Sequence, residues 1–160
     1  MAQSIKAARQ GLYAACQSIF ASSVGPDNAP ALVSLGPPGV NAPSALVVVA
    51  ITTRQPVDRP TMGPGRSREK TVEFDVLINV WSGGTESVQQ AVIEKVDDLS
   101  ELLEAYFRTA GNETLGGGCR DSWVSNIVGP VPDVTVDPAS GAVSGRQAES
   151  TVTVTARIRQ

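Results

Sequence analysis

Apolar positions along the chain switch between two periods, and the switches mark out its elements. From Ser4 to about Ser22, Ile5, Ala8, Leu12, Ala15, Cys16 and Ile19 recur at helical spacing, with Ser4 placed to cap the first turn. Gly25, Pro26 and Pro30 end that helix. Residues 31–35 read as a short strand before Gly36, Pro37, Pro38 and Gly39 break the chain again. Leu46 to Ile51 is a continuous β-branched run of the kind that suits a strand covered on both faces.

Residues 54–68 carry Arg54, Arg59, Arg66 and Arg68 among prolines and glycines, and predict a long mobile loop. Beyond it, Val72, Phe74, Val76, Ile78 and Val80 alternate with Thr71, Glu73, Asp75, Leu77, Asn79 and Trp81. This period of two predicts a strand with one buried face. Ser82, Gly83 and Gly84 turn the chain, and Thr85 or Ser87 is placed to cap a helix running to about Thr109. Val88, Val92, Val96, Leu99, Leu103 and Phe107 fall on one side of that helix; Glu94, Asp97, Asp98, Glu101 and Glu104 fall on the other. After Gly111, residues 118–128 read as a strand, 129–148 as an irregular connection rich in Pro and Gly, and 150–159 as a last strand. In that last strand Val152, Val154, Ala156 and Ile158 alternate with Thr151, Thr153, Thr155 and Arg157.

The order αβββαββ predicts a single α+β domain spanning residues 1–160, with a mixed or antiparallel sheet of about five strands and both helices packed on one face. The other face then requires solvent or a partner. At 160 residues and 41% hydrophobic content the chain is long enough for one core. With 4% aromatic residues that core must be built from Val, Ile, Leu and Ala, and few rings remain for stacking on bases. A formal charge of −3 gives no overall attraction to a polyanion, so neither single-stranded nor sequence-specific nucleic acid is an expected ligand. No apolar run approaches the roughly 20 residues of a membrane-spanning helix, and MAQSIKAARQ leads into an alternating helix instead of a signal-peptide core. The expectation is a protein made and kept in a cytoplasm, with no membrane partner.

Chemistry-bearing motifs are mostly missing. The chain has no histidine, which excludes the usual Ser/His/Asp, Cys/His and zinc constellations. Cys16 and Cys119 form no CxxC and read as small buried hydrophobes. GPPGVN and TLGGGC lack the GK[ST] ending and the strand-to-helix GxGxxG context of phosphate loops, so their glycines read as turn residues. Ser144, in GAVSGR, lacks nucleophile-elbow spacing and reads as a loop serine. No catalytic residue, metal site or cofactor is expected, and the reading is not an enzyme. One contrast stands out: residues 54–70 hold five basic and two acidic side chains, whereas residues 86–108 hold six acidic and two basic ones. Opposite signs on neighbouring elements suit a head-to-tail contact between copies, with Arg54, Arg59, Arg66 and Arg68 facing Glu94, Asp98 and Glu101 or a tube surface.

The run TVEFDVLINVWSGG, a following helix of EKVDDLSELLEAYFR type, then ETLGGGCRDSWVSN and a closing STVTVTARIRQ together resemble the tail terminator proteins of long-tailed, siphovirus-type bacteriophages. The likeness spans nearly the whole chain, through short motifs of which none is catalytic. It carries over Trp81, Ser82, Gly83 and Gly84 at the strand-to-helix turn, and Leu115, Gly116, Gly117, Arg120 and Asp121 at the second turn, as structural positions. The resemblance implies a virion protein of the tail, made in the bacterial host, that forms a homo-hexameric ring at the head-proximal end of the tail tube. Such a ring stops tube polymerisation and offers a joining surface, so the implied partners are further copies, the tail tube protein and the head–tail connector or neck proteins. Two alternatives stand beside it: a head-side neck or head-completion protein, and a small-molecule-binding or enzymatic α+β domain working with Arg and carboxylates alone.

Overall fold

A computed structural model describes residues 3–39, 43–56 and 69–159. Its elements are α1 (Ile5–Ile19), β1 (Leu32–Leu35), β2 (Ala45–Arg54), β3 (Glu69–Gly83), a 3-10 turn (Glu86–Val88), α2 (Gln89–Arg108), β4 (Asp121–Val136) and β5 (Val143–Arg159). The αβββαββ order expected from periodicity is the order observed. The five strands form one sheet in the order β1-β2-β3-β5-β4. Only the β1–β2 pair is parallel, so the sheet is mixed.

Both helices lie on the same face. Ala8, Leu12 and Cys16 of α1 and Val92, Val96, Leu99 and Leu103 of α2 join one cluster with Phe74, Val76, Ile78, Val152 and Val154 of the central strands. The period-two pattern of β3 places every residue of its apolar set, Val72 through Val80, at 0% exposure. Each such side chain contributes about 1.5 to 3 kcal/mol on burial, and this concentration of them orients the sheet. The Ser4 hydroxyl accepts from the Ala7 amide at 3.0 Å, the cap that starts α1.

Three local expectations are corrected. Neither Thr85 nor Ser87 caps α2; their hydroxyls bond each other at 3.0 Å, and the helix is entered through the 3-10 turn instead. Residues 129–148 are not an irregular connection. β4 runs on to Val136 and β5 starts at Val143, making a long hairpin closed by a turn in which the Gly141 amide donates to the Asp137 carbonyl at 2.8 Å. Gly129 and Pro130 fit inside it because the ladder shifts register between Val128 and Val131, where these two residues bulge out, and Pro132 fits opposite Ala148 because β4 is an edge strand. Finally, Arg54 belongs to β2 and not to the predicted 54–68 loop, which ends where β3 begins at Glu69; its residues 57–68 lie outside the described structure.

The segment between α2 and β4 is a run of tight turns. Leu115, Gly116 and Gly117 take φ of 48°, 68° and 88°, and Leu115 is buried beneath them. Gly118 is needed for a different reason: a Cβ there would meet the Ala7 carbonyl oxygen at 2.6 Å, so the turn lies directly against the backbone of α1.

Candidate interaction surfaces

The sheet face away from the helices carries a set of ion pairs built by strand register. β3 places Glu73 and Asp75 on this face, and β2 brings Arg54 opposite Glu73. The Arg54 guanidinium bonds Glu73 at 3.0 Å and reaches both oxygens of Asp75, one of them at 2.8 Å. From β5, the Thr153 hydroxyl donates to the same Asp75 carboxylate at 2.8 Å. Asp75 is buried there, and a buried carboxylate needs such donors. The two carboxylates raise the Arg54 pKa, chiefly through the Asp75 bond.

A second group sits where β4 enters the sheet. Asp121 pairs with Arg157 of β5 through a two-point contact, one bond measuring 2.7 Å, and this hydrogen bonding holds the Asp121 pKa below its ordinary value. The Arg157 guanidinium also lies over the Trp123 ring at 5.5 Å from its centroid. Neighbouring Arg120 pairs with Glu69 at the start of β3. The Arg120 and Asp121 positions, expected to be structural, thus tie the entry of β4 to both central strands.

The other expected positions fall as follows. Arg54 is occupied by carboxylates of its own chain and so is not a free cation awaiting a neighbour; Arg59, Arg66 and Arg68 lie outside the described residues. Glu94, Asp98 and Glu101 are exposed on α2, and only Glu94 is engaged, by Gln90 at 2.6 Å. The structure does not bring Arg54 against them. Trp81 and Gly83 are the last residues of β3, while Gly84, at φ 139°, makes the turn itself. Trp81 does more than mark a turn. Its indole Nε1 donates to the Thr135 hydroxyl at 3.0 Å, and its ring crosses Gly145, where any Cβ would meet Nε1 at 2.7 Å.

The outer part of the β4–β5 hairpin was not singled out by the sequence. Val128, Val131, Val134, Val136 and Val143 are all exposed there, at 36 to 57%. A run of valines with two prolines was the only signal, and it read as a loop because the strand pairing that explains it is made by β5.

A shallow hollow of about 220 Å³ lies between the end of α1 and β1, lined by Gln17, Phe20, Ala21, Ala31 and Val33. Burial pushes the Cys16 thiol up to about 12 and, with Asp121 adding to it, the Cys119 thiol up to about 11. No group of three or more metal-ligating side chains occurs among the described residues. No helix among them is long and apolar enough to cross a membrane. Neither a protein-family model nor a curated protein matches the chain.

Proposed function

We propose that this protein is a tail terminator: a structural subunit that closes head to tail into a homo-hexameric ring at the head-proximal end of a phage tail tube, stops its growth and receives the head connector. The observation that carries the reading is where the motifs of the resemblance fall. TVEFDVLINVWSGG occupies β3 and the Gly84 turn, EKVDDLSELLEAYFR forms most of α2, ETLGGGCRD makes the turns into β4, and STVTVTARIR is the end of β5. Each short motif therefore coincides with a junction or a core strand of one continuous sheet, which is how a pattern spread along the chain acquires a common structural meaning.

The surfaces support the same reading. Charges on the helix-free face are largely matched within the subunit, whereas the hairpin valines and the outer face of α2 are left for other molecules. The partners on this reading are further copies, tube protein and connector proteins, and the protein resides in the virion tail without catalysing a reaction. The test is the mass of the purified chain in solution, alone and mixed with tail tube protein. A six-fold mass that caps tube growth supports the proposal. A chain that stays monomeric under both conditions and leaves tube growth unaltered overturns it.

A further inference from the structure

We propose that successive copies of this chain join sheet edge to sheet edge, the β1 edge of one subunit meeting the β4 edge of the next. The inference rests on the ring reading for the partner being a copy, and it names the two surfaces that meet.

Exposed apolar side chains gather at the two ends of the sheet. Thirteen large hydrophobic residues are exposed among those described. Four of them, Val24, Leu32, Leu35 and Ile51, lie in β1, in β2 or in the bridge that leads into β1, and seven lie on the β4–β5 hairpin. β1 and β4 are the outermost strands, with β2, β3 and β5 between them, so at about 4.8 Å per strand the two edges stand about 19 Å apart. One subunit thus carries two separate apolar surfaces at opposite edges, and surface of this kind marks an interaction site.

Both edges lack the charged side chains that ordinarily keep an open strand from pairing. Residues 28–53, which supply β1 and nearly all of β2, contain no charged side chain, and neither do residues 122–132 of β4, in a chain that is 18% charged overall. Depletion of charge beside exposed aromatic and aliphatic groups is the composition of an interface core. The backbone of β1 is open as well. The Gly36 amide donates inward to the Val49 carbonyl at 3.2 Å, and the Ala31 amide donates outward to the Ser23 carbonyl at 2.9 Å. Val33 and Leu35 share the parity of Ala31, so their peptide groups point out of the sheet edge, where no backbone partner meets them among the described residues. On β4, Pro130 and Pro132 have no N–H to offer, but the stretch from Asp121 to Val128 contains no proline and is the part that can receive them.

Two unlike open edges on one chain point to a second copy as the occupant. Each edge is matched by an apolar, uncharged strand, and that is what the other edge of the same chain offers. An edge that met only its own kind would leave the other bare. β1 against β4 is instead a heterologous contact, repeated head to tail, and it covers both edges of every subunit once the series closes.

The experiment is sedimentation or native mass measurement of the full chain, of Leu35→Lys and of Val128→Lys, each variant first shown by thermal melting to be folded. These side chains are 50% and 54% exposed, so the fold should persist; Leu32→Lys and Val131→Lys stand in for either variant that does not fold. Each variant alone should self-associate at least tenfold more weakly than the unaltered chain. An equimolar mixture of the two should form dimers and nothing larger, because one intact β1 edge then meets one intact β4 edge. If the unaltered chain assembles and neither variant changes its mass, edge joining is overturned while the ring reading stands. If only one variant loses assembly, the contact is between like edges, and a mixture that stays monomeric denies the pairing of β1 with β4; either result overturns the proposal. Loss of tube binding with unchanged self-assembly assigns the edges to the tube and overturns the second copy as their occupant. A chain that is monomeric alone and with tube protein overturns the ring and the edge contact together.

Discussion

Replacing Phe74 by alanine tests the account of the core at its centre. Phe74 lies in the middle of β3, with Thr53 beside it on β2 and Val154 beside it on β5, and it has no exposed surface. Arg9 of α1 reaches over the ring at 6.0 Å, so the helix, the ring and three strands meet at this point. Truncating a fully buried Phe to Ala costs about 3 to 5 kcal/mol, the lost transfer energy plus the cavity. Native domains hold only about 5 to 15 kcal/mol in total. In a chain of this size each kcal/mol moves Tm by about 2 to 4 °C, so Phe74→Ala should lower Tm by roughly 10 °C. Urea unfolding should show the midpoint falling with the slope m little changed. Leu77→Ala, one strand position of opposite parity and only half-buried, is the control and should cost clearly less. A loss below about 1 kcal/mol at Phe74, or a larger loss at Leu77, would refute the assignment of the two faces.

Three further outcomes are expected. Ser4→Ala removes a cap bond and should cost about 1 kcal/mol, while Thr85→Ala, which removes no cap, should leave the urea midpoint within a few tenths of a kcal/mol of the original. Gly145→Val should displace the Trp81 ring and blue- or red-shift its emission, since Nε1 lies 2.7 Å from the position of the new Cβ; an unaltered spectrum contradicts the contact. Asp121 has a folded-state pKa below its ordinary 3.8, so its contribution is fully present above that value and is lost as pH falls through the lower folded value. Asp121→Asn should therefore lower stability at pH 7 by about 0.5 to 1 kcal/mol, the range of partly exposed pairs, and the gap to the unaltered chain should close towards pH 3 in thermal melts.

What the sequence discloses depends on whether a residue's role is local. The alternation of Val72 to Val80 and the helical stripe of Val92 to Leu103 are set by the geometry of one element, and both faces were legible in full. The Ser4 cap is equally local. The extended hairpin was not legible, because Gly129, Pro130 and Pro132 are punctuation by themselves and become strand residues only against β5, the first two in a bulge and Pro132 opposite Ala148. Thr85 and Ser87 had the right chemistry for a cap, but two neighbouring hydroxyls satisfied each other first. At the candidate surfaces, the sequence showed that Arg54 is basic; it did not show that Glu73 and Asp75, some twenty residues on, would stand beside it across a ladder. Trp81 over Gly145 is likewise a product of β3–β5 register.

The most direct test of the central claim is the length of tails made by phage that lack this protein, measured by electron microscopy. A terminator stops growth, so the account predicts tails of uncontrolled, extended length that do not join heads, with normal length restored when the protein is supplied. Tails of normal length in its absence, with the defect confined to DNA-filled heads, would contradict the account and place the protein on the head side of the neck.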